Sequence, residues 1–283
     1  MSMTIVNANG FIRKMRGGAQ AHLLAGDDGH AYVVKFRNNL QHRRILVNEF
    51  VAGVFLRYLG IAAPEMAIVN IDRSFLENHP EVHLKARNHS IEVEPGWHFG
   101  SRYPGDPGSV SVYDFLPDSL LSKVINIDHF RAILVFDKWI GNMDGRQCIF
   151  YRGIVQRGTE SPGQPGFVAQ MIDNGHAFNG SNWDFPESAV QGIYARTQVY
   201  GPIRTLDDFQ PWLAQVVNFP EEVFDDAWKS IPRQWLDADE DDLDRLLESL
   251  YRRRRRVPDL LSASLGHLDL ITHQAPCTGS YCF

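Results

Sequence analysis

The sequence predicts an α+β fold of two lobes: a β-rich N-lobe over residues 1–116, a mainly helical C-lobe over 117–265, and a flexible tail over 266–283. Three observations carry this. Before residue 116, runs of β-formers alternate with turn signals; after Asp128, most of the chain reads as helix and turn. The 283 residues are 44% hydrophobic and 22% charged, enough to bury a sizeable core and unlike a disordered chain.

Composition excludes several classes. A formal net charge of −6 argues against a general nucleic-acid binder. The three cysteines, Cys148, Cys277 and Cys282, are too few and too odd in number for a disulfide framework. The start, MSMTIVNANG, lacks the basic-then-apolar pattern of a signal peptide, and no run approaches the roughly 18 apolar residues of a membrane span. A cytoplasmic location is therefore expected.

The elements follow in order. Phe11–Met15 and Ala21–Ala25 read as strands around Arg16-Gly17-Gly18-Ala19-Gln20. Asp27-Asp28-Gly29 marks a turn before the strand His30–Phe36, whose period of two puts Ala31, Val33 and Lys35 on one face. Val47, Phe50, Val51, Val54, Phe55 and Tyr58 recur at helical spacing, so about 41–59 is a helix, stopped by Gly60 and Pro64. Ile45, Glu49, Ala52 and Leu56 share a stripe of that helix, and a carboxylate on an apolar stripe is costly unless paired. Lys35 is the candidate partner. Residues 64–71 and 110–115 read as strands, and Phe99-Gly100-Ser101-Arg102 as a turn or a functional segment. Asp128 is a candidate N-cap for a helix to about Trp139. Short strands at 148–151 and 167–172 follow, separated by a loop at 157–166. Helices are expected around 206–217, 221–229 and 239–256, with a frayed tail beyond about Gly266.

Four features then fall in a telling order: a glycine turn between two strands (Gly17, Gly18, Ala19, Gln20), a strand lysine (Lys35), a helix glutamate (Glu49), and two aspartates in a helix–loop–strand–strand layout, Asp144 and Asp173. These are the parts of a kinase-type phosphoryl-transfer site. A glycine turn lets backbone N–H groups approach phosphates. A strand lysine fixed by a helix carboxylate holds the α- and β-phosphates. One aspartate orients or deprotonates the attacking hydroxyl, and another beside a glycine turn holds Mg²⁺.

On these residues the chain resembles the HipA-like kinase family, distant relatives of eukaryotic protein kinases and phosphatidylinositol kinases. Gly18-Ala19-Gln20 is similar to that family's phosphate loop and Tyr32-Val33-Val34-Lys35 to its lysine strand. Val112-Tyr113-Asp114-Phe115 resembles the segment joining the lobes, which implies that Tyr113, Asp114 and Phe115 meet adenine. Ile140-Gly141-Asn142-Met143-Asp144 resembles the catalytic loop, and Ile172-Asp173-Asn174-Gly175 the metal-binding motif. The resemblance spans roughly residues 10–260. It implies a two-lobed protein-kinase-like fold, ATP and Mg²⁺ as cofactors, and a protein serine or threonine as acceptor.

The family usually carries an asparagine five residues after the catalytic aspartate, as a second metal ligand; here that position is Ile149, with Gln147 or Asn142 as substitutes. Two other readings follow: a small-molecule or lipid-headgroup kinase on the same fold, and a nucleotide-binding scaffold without turnover. Residues 180–200, including Trp183, Tyr194 and Arg196, are expected to shape the acceptor site. Asp137, on an apolar helix stripe, is expected to hold Arg146 or the catalytic-loop backbone, and His176 to be packed or at the surface. The run Arg252–Arg256 follows Asp237, Asp239, Glu240, Asp241 and Asp242, the acid-first, base-last order a helix dipole favours; five consecutive positions fan around a helix, so nucleic-acid binding is not expected there.

Overall fold

The computed structural model describes residues 3–155, 164–194, 196–201 and 203–273. Strands β1 (Ile5–Lys14), β2 (His22–Gly26), β3 (Ala31–Lys35), β4 (Met66–Ile71) and β7 (Gly96–Arg102) close into a barrel in the order β1-β2-β3-β7-β4. The parallel pairing of Ile5 with Ile68 closes it. Helix α1 (Arg44–Tyr58) joins β3 to β4. Helix α2 (Arg73–Asn78) and the hairpin of β5 (His83–Lys85) with β6 (Ser90–Glu92) lie between β4 and β7. A second sheet, in the order β10-β9-β8, contains β8 (Val112–Tyr113), β9 (Gln147–Val155) and β10 (Gln164–Ile172). The helices of this second part are α3 (Asp118–Leu121), α4 (His129–Ile140), α5 (Trp212–Val217), α6 (Glu221–Ser230), α7 (Glu240–Arg253) and α8 (Val257–His273).

Helix α1 is buried on nearly every side, from Ile45 to Ala52 without a break. A helix apolar all round is a core helix, and this one leaves Glu49 no route to water. Its Phe55 stacks on Trp139 of α4 at 5.3 Å, with Phe219 and Phe224 edge-on. The barrel holds a separate core of Val6, Leu24, Tyr32, Val34, Phe36 and Val69.

Several sequence expectations shift. Phe99–Arg102 is the heart of β7, where a Cβ on Gly100 would come within 2.5 Å of Val69. The strand expected over 110–115 shrinks to Val112–Tyr113, and the one at 64–71 begins at Met66. Asp128 stands at the N-cap position of α4, but its side chain makes no capping bond: its φ and ψ are already helical, and its carboxylate pairs with Arg131. The expected helix over 206–217 is a 3₁₀ turn, Leu206–Phe209, followed by α5. Residues beyond Gly266 continue α8 to His273, because Leu261, Ser264 and Leu268 bury one face at helical spacing. Of the loop expected at 157–166, residues 164–166 are instead paired in β10 with β9, while 157–163 and both tail cysteines, Cys277 and Cys282, lie outside the described residues.

The arginine run does fan around its helix. Arg253 Nε and NH2 donate to the carbonyls of Trp139 and Lys138 at 2.9 and 3.2 Å, which closes the C-terminus of α4. Arg256 pairs with Glu187 and Arg252 with Glu248.

Candidate active site

Lys35 ends β3, directly opposite Phe99 of β7. Its Nζ donates to Glu49 Oε1 and, at 2.8 Å, to Asp173 Oδ1. Burial alone would lower the lysine's pKa, but the two carboxylates outweigh it and hold the group well above the usual lysine range. Burial likewise works to raise Asp173, and the Lys35 ammonium more than offsets it, holding that carboxyl below its ordinary value. Glu49 is 4% exposed and also accepts the Asn174 backbone N–H at 3.1 Å. The sequence pairing of Lys35 with Glu49 is therefore formed, and Asp173 joins it.

The Asp173-Asn174-Gly175 turn is pressed onto α1. Asp173 has φ +60°, and a Cβ on Gly175 would lie 2.7 Å from Ile45 Cγ2. Asn48, fully buried beside Glu49, sends its amide nitrogen to the carbonyls of Gly175, Ala177 and Gly180 at 2.8–3.0 Å. Its Oδ1 accepts from Trp183 Nε1 at 2.8 Å. Sequence reasoning missed Asn48. The signal was a second polar residue inside an otherwise apolar helix.

A second network fixes the catalytic-type loop. Asp137 of α4 accepts from Arg146 Nε at 2.9 Å, from Arg146 NH2, and from Asn142 Nδ2 at 3.1 Å. Arg146 NH1 then reaches the Ile172 carbonyl at 2.8 Å and Asn174 Oδ1 at 3.1 Å. Burial pushes the Asp137 carboxyl up, against the pull of Arg146. Three donors converging on one carboxylate favour the ionised pair. The expected Asp137–Arg146 contact is thus present.

Asp144 sits on that loop with its side chain half-exposed, 3.7 Å from His176 Nε2. Its N–H donates to Asn142 Oδ1 at 3.3 Å, and the Met143 N–H to the His176 carbonyl at 3.2 Å. Both ends of the Asn142 amide are therefore engaged in holding the loop, and its Oδ1, which accepts one bond, keeps a second lone pair. Gln147 is exposed at the start of β9, paired with Ile172 immediately before Asp173. His176 lies beside Asp144 rather than packed away.

The glycine turn runs from Met15, whose N–H meets the Ala21 carbonyl at 2.8 Å. Gly17 has φ +118° and Gln20 φ +49°. The N–H groups of Gly17, Gly18 and Ala19 donate to nothing among the described residues. The Gln20 side chain turns away from the loop. It exchanges two hydrogen bonds, 2.8 and 2.7 Å, with the Lys85 backbone. Gln41, from the connection into α1, lies against Gly18: a Cβ there would be 2.9 Å from Gln41 Nε2.

Beside this turn, Leu23, Ala31 and Tyr103 form a small apolar cluster with Met15, Val33 and Val112. Val33 shares its strand face with Lys35. Of the segment expected at the base, Val112 reaches this cluster, while Tyr113 is edge-on to Phe167 and Phe115 lies under the Arg196 guanidinium at 4.6 Å. Asp114 is exposed. Trp183 and Tyr194 are partly and fully buried; Trp183 is capped by Arg44 at 4.1 Å.

A family model of HipA-like kinases matches residues 9–257, most of the chain. The chain belongs to the HipA-like kinase family. It is an enzyme of the kinase class, a phosphotransferase. Solved structures similar to this kinase include the Golgi casein kinase with Mn/ADP bound (13% identity, 98% of this chain and 74% of that one, TM-score 0.47). A second is the Golgi casein kinase itself (12%, 97% and 73%, 0.48). No curated protein matches it. Among the described residues, no helix is long and apolar enough to cross a membrane.

Proposed function

We propose that this kinase moves the γ-phosphoryl of ATP, with Mg²⁺, to the hydroxyl of a protein serine or threonine, in a cleft between an N-lobe (1–116) and a C-lobe (117–265). The observation that carries the reading is Lys35 bridging Glu49 and Asp173. One ammonium faces two carboxylates, so the cluster has a surplus negative charge that a cation would neutralise.

The residues present fit Mg²⁺. Among the described residues no group of three or more His, Cys, Asp or Glu side chains forms a metal cage. A nucleotide-bound Mg²⁺ does not need one, because phosphates and water supply most of its ligands. Asp173, a third exposed and with Oδ2 free of hydrogen bonds among the described residues, would hold it, with Gln147 or Asn142 as the amide ligand. When bound, Mg²⁺ supplies charge neutralisation across the phosphates.

The chain's own groups do the rest. The free amides of Gly17, Gly18 and Ala19 cradle phosphate oxygens, and Lys35, locked in position by Glu49, adds a fixed positive charge. The Leu23, Ala31, Val33, Tyr103 and Val112 cluster receives the base, and the backbone of Tyr113, Asp114 and Phe115, which follows Val112, meets its polar edge. Asp144 accepts the proton of the attacking hydroxyl as its oxygen bonds to the γ-phosphorus and the bond to ADP breaks. The test is transfer from γ-labelled ATP to lysate proteins, followed by phosphoamino-acid analysis. Asp173→Ala and Asp144→Ala are each expected to lose transfer by roughly 10²–10⁴-fold. Wild-type transfer by either variant would overturn the mechanism. Label confined to small molecules would replace the protein acceptor with a small one.

A further inference from the structure

The connection from Lys35 into α1 borders a cavity that the phosphotransfer site does not use. Its volume is about 650 Å³. Arg37, Asn39, His42 and Arg43 line it from the connection, and Arg233 faces in from the segment before α7. Three arginines meet two carboxylates, Glu94 and Asp237, so the walls carry a net positive charge before His42 is counted. The two acids are held by Arg37 and Arg43, but are 55% and 63% exposed. Ion pairs that open to water are weak, and an incoming anion can compete for their arginines.

Three further details point to an anion. The Arg233 side chain makes no hydrogen bond or ion pair among the described residues, and the residue is exposed. Asn39 is 8% exposed, and its Nδ2 has no partner, a donor left unmatched in a wall of donors. His42 Nδ1 accepts the Arg44 N–H at 3.2 Å, which leaves the ring's other nitrogen to carry the proton and donate.

We propose that this cavity binds a phosphate monoester dianion and, when filled, clamps the connection that sets helix α1. The arginines offer planar, bidentate donors matched to phosphate oxygens. The volume exceeds that of phosphate alone and accommodates the group to which it is esterified. The consequence follows from the chain path. Arg37 to Arg43 link the strand of Lys35 to the helix of Glu49, and Gln41 of the same connection rests on the glycine turn. A ligand bridging this connection to Arg233 fixes α1, hence the Lys35–Glu49 pair. Binding itself does not depend on the phosphotransfer reading; only the consequence for turnover does.

The full chain is titrated calorimetrically with inorganic phosphate and with O-phospho-L-serine, with and without saturating Mg·ADP. Binding is expected to persist with ADP present. Arg233→Glu, at an exposed position where folding is not at stake, is expected to weaken it at least about tenfold, the weight of one charge-assisted hydrogen bond. Binding of phosphoserine is also expected to slow amide exchange over residues 44–49 in the wild type and not in the variant. Prior incubation with ATP separates the sources. A site closed to added phosphoserine in a chain shown by mass spectrometry to be phosphorylated identifies the chain's own phosphoryl group, whereas a site still open identifies a free monoester. Absence of binding, binding abolished by ADP, or binding unchanged in Arg233→Glu overturns the proposal.

Discussion

Two ion pairs tie helices to the Asp173–Gly175 turn, and they are built differently. The Asp137–Arg146 pair is fully sealed, its two side chains without any exposure, and its charges balance one to one. The Lys35 cluster sets one cation against two carboxylates, and Asp173 keeps a third of its side chain open. A sealed, balanced and hydrogen-bonded pair holds geometry. An open, unbalanced one is ready for a ligand of the missing charge. Two sets of cation–carboxylate contacts in the same neighbourhood thus differ in satisfaction, and the proposed chemistry falls on the unsatisfied one.

The sharpest way to break this contrast is to remove one member from each. Arg146→Ala leaves a buried carboxylate without its cation and is expected to cost about 3–5 kcal/mol of stability. Asp173→Ala leaves Lys35 still paired with Glu49, and should cost only about 1–2 kcal/mol of stability, the strain of alanine at its positive φ, while removing transfer. Urea unfolding and labelled-ATP assays on both variants measure this. Arg146→Ala with wild-type stability, or Asp173→Ala unfolded, would erase the distinction.

Glu49 lies between the two extremes, buried like the scaffold but bound to the chemistry. Glu49→Gln keeps a hydrogen-bond acceptor for Lys35 but removes the charge that fixes it. Steady-state kinetics are expected to show a fall in kcat/KM of up to about 100-fold, carried mainly by a raised KM for ATP, because misplaced positioning groups cost that much. A variant indistinguishable from wild type would assign Lys35's placement to Asp173 alone.

How much was legible in the sequence follows from the same physics. Glu49 and Asp137 stood out because a carboxylate on an apolar helical stripe demands a cation, and Lys35 and Arg146 were at hand in the sequence. Lys35's face followed from strand period. The side-chain partners of Gln20, Asn142 and Asp128 were not legible, because residue type suggests a local role for each, while neighbours in the fold engage them: the Lys85 backbone, Asp137 and Arg131. Gln41 against Gly18 and Arg253 closing α4 depend on segments distant in sequence, which no local pattern encodes. The helix past Gly266 was missed because a glycine followed by a polar tail reads as a stop, although Leu261 and Leu268 share a buried face across it.

The smallest effect concerns a sealed group with no catalytic task. His98 of β7 is fully buried; its Nδ1 accepts the Arg37 N–H at 3.0 Å, and its Nε2 has no partner. Burial, with the nearby Arg37 charge, pushes it down to about 3. Its unfolded value is about 6.5. The folded pKa is the lower one, so the unfolded chain binds the extra proton. The stability contribution is fully present above about pH 6.5 and falls through the window down to about 3, by about 1.4 kcal/mol per pH unit where the slope is steepest. His22 and His129, both lowered mainly by burial, add to the same limb, so the difference between wild type and variant is what isolates His98. Asp173, also depressed, acts only below the ordinary carboxylate range. Urea unfolding of wild type and His98→Phe at pH 7 and pH 5 should show the wild type losing about 2 kcal/mol more than the variant over that interval. Equal losses would place the proton on another group. A change in the ATP KM of His98→Phe at pH 7 would show that this sealed residue reaches the open cluster, and would blur the line between them.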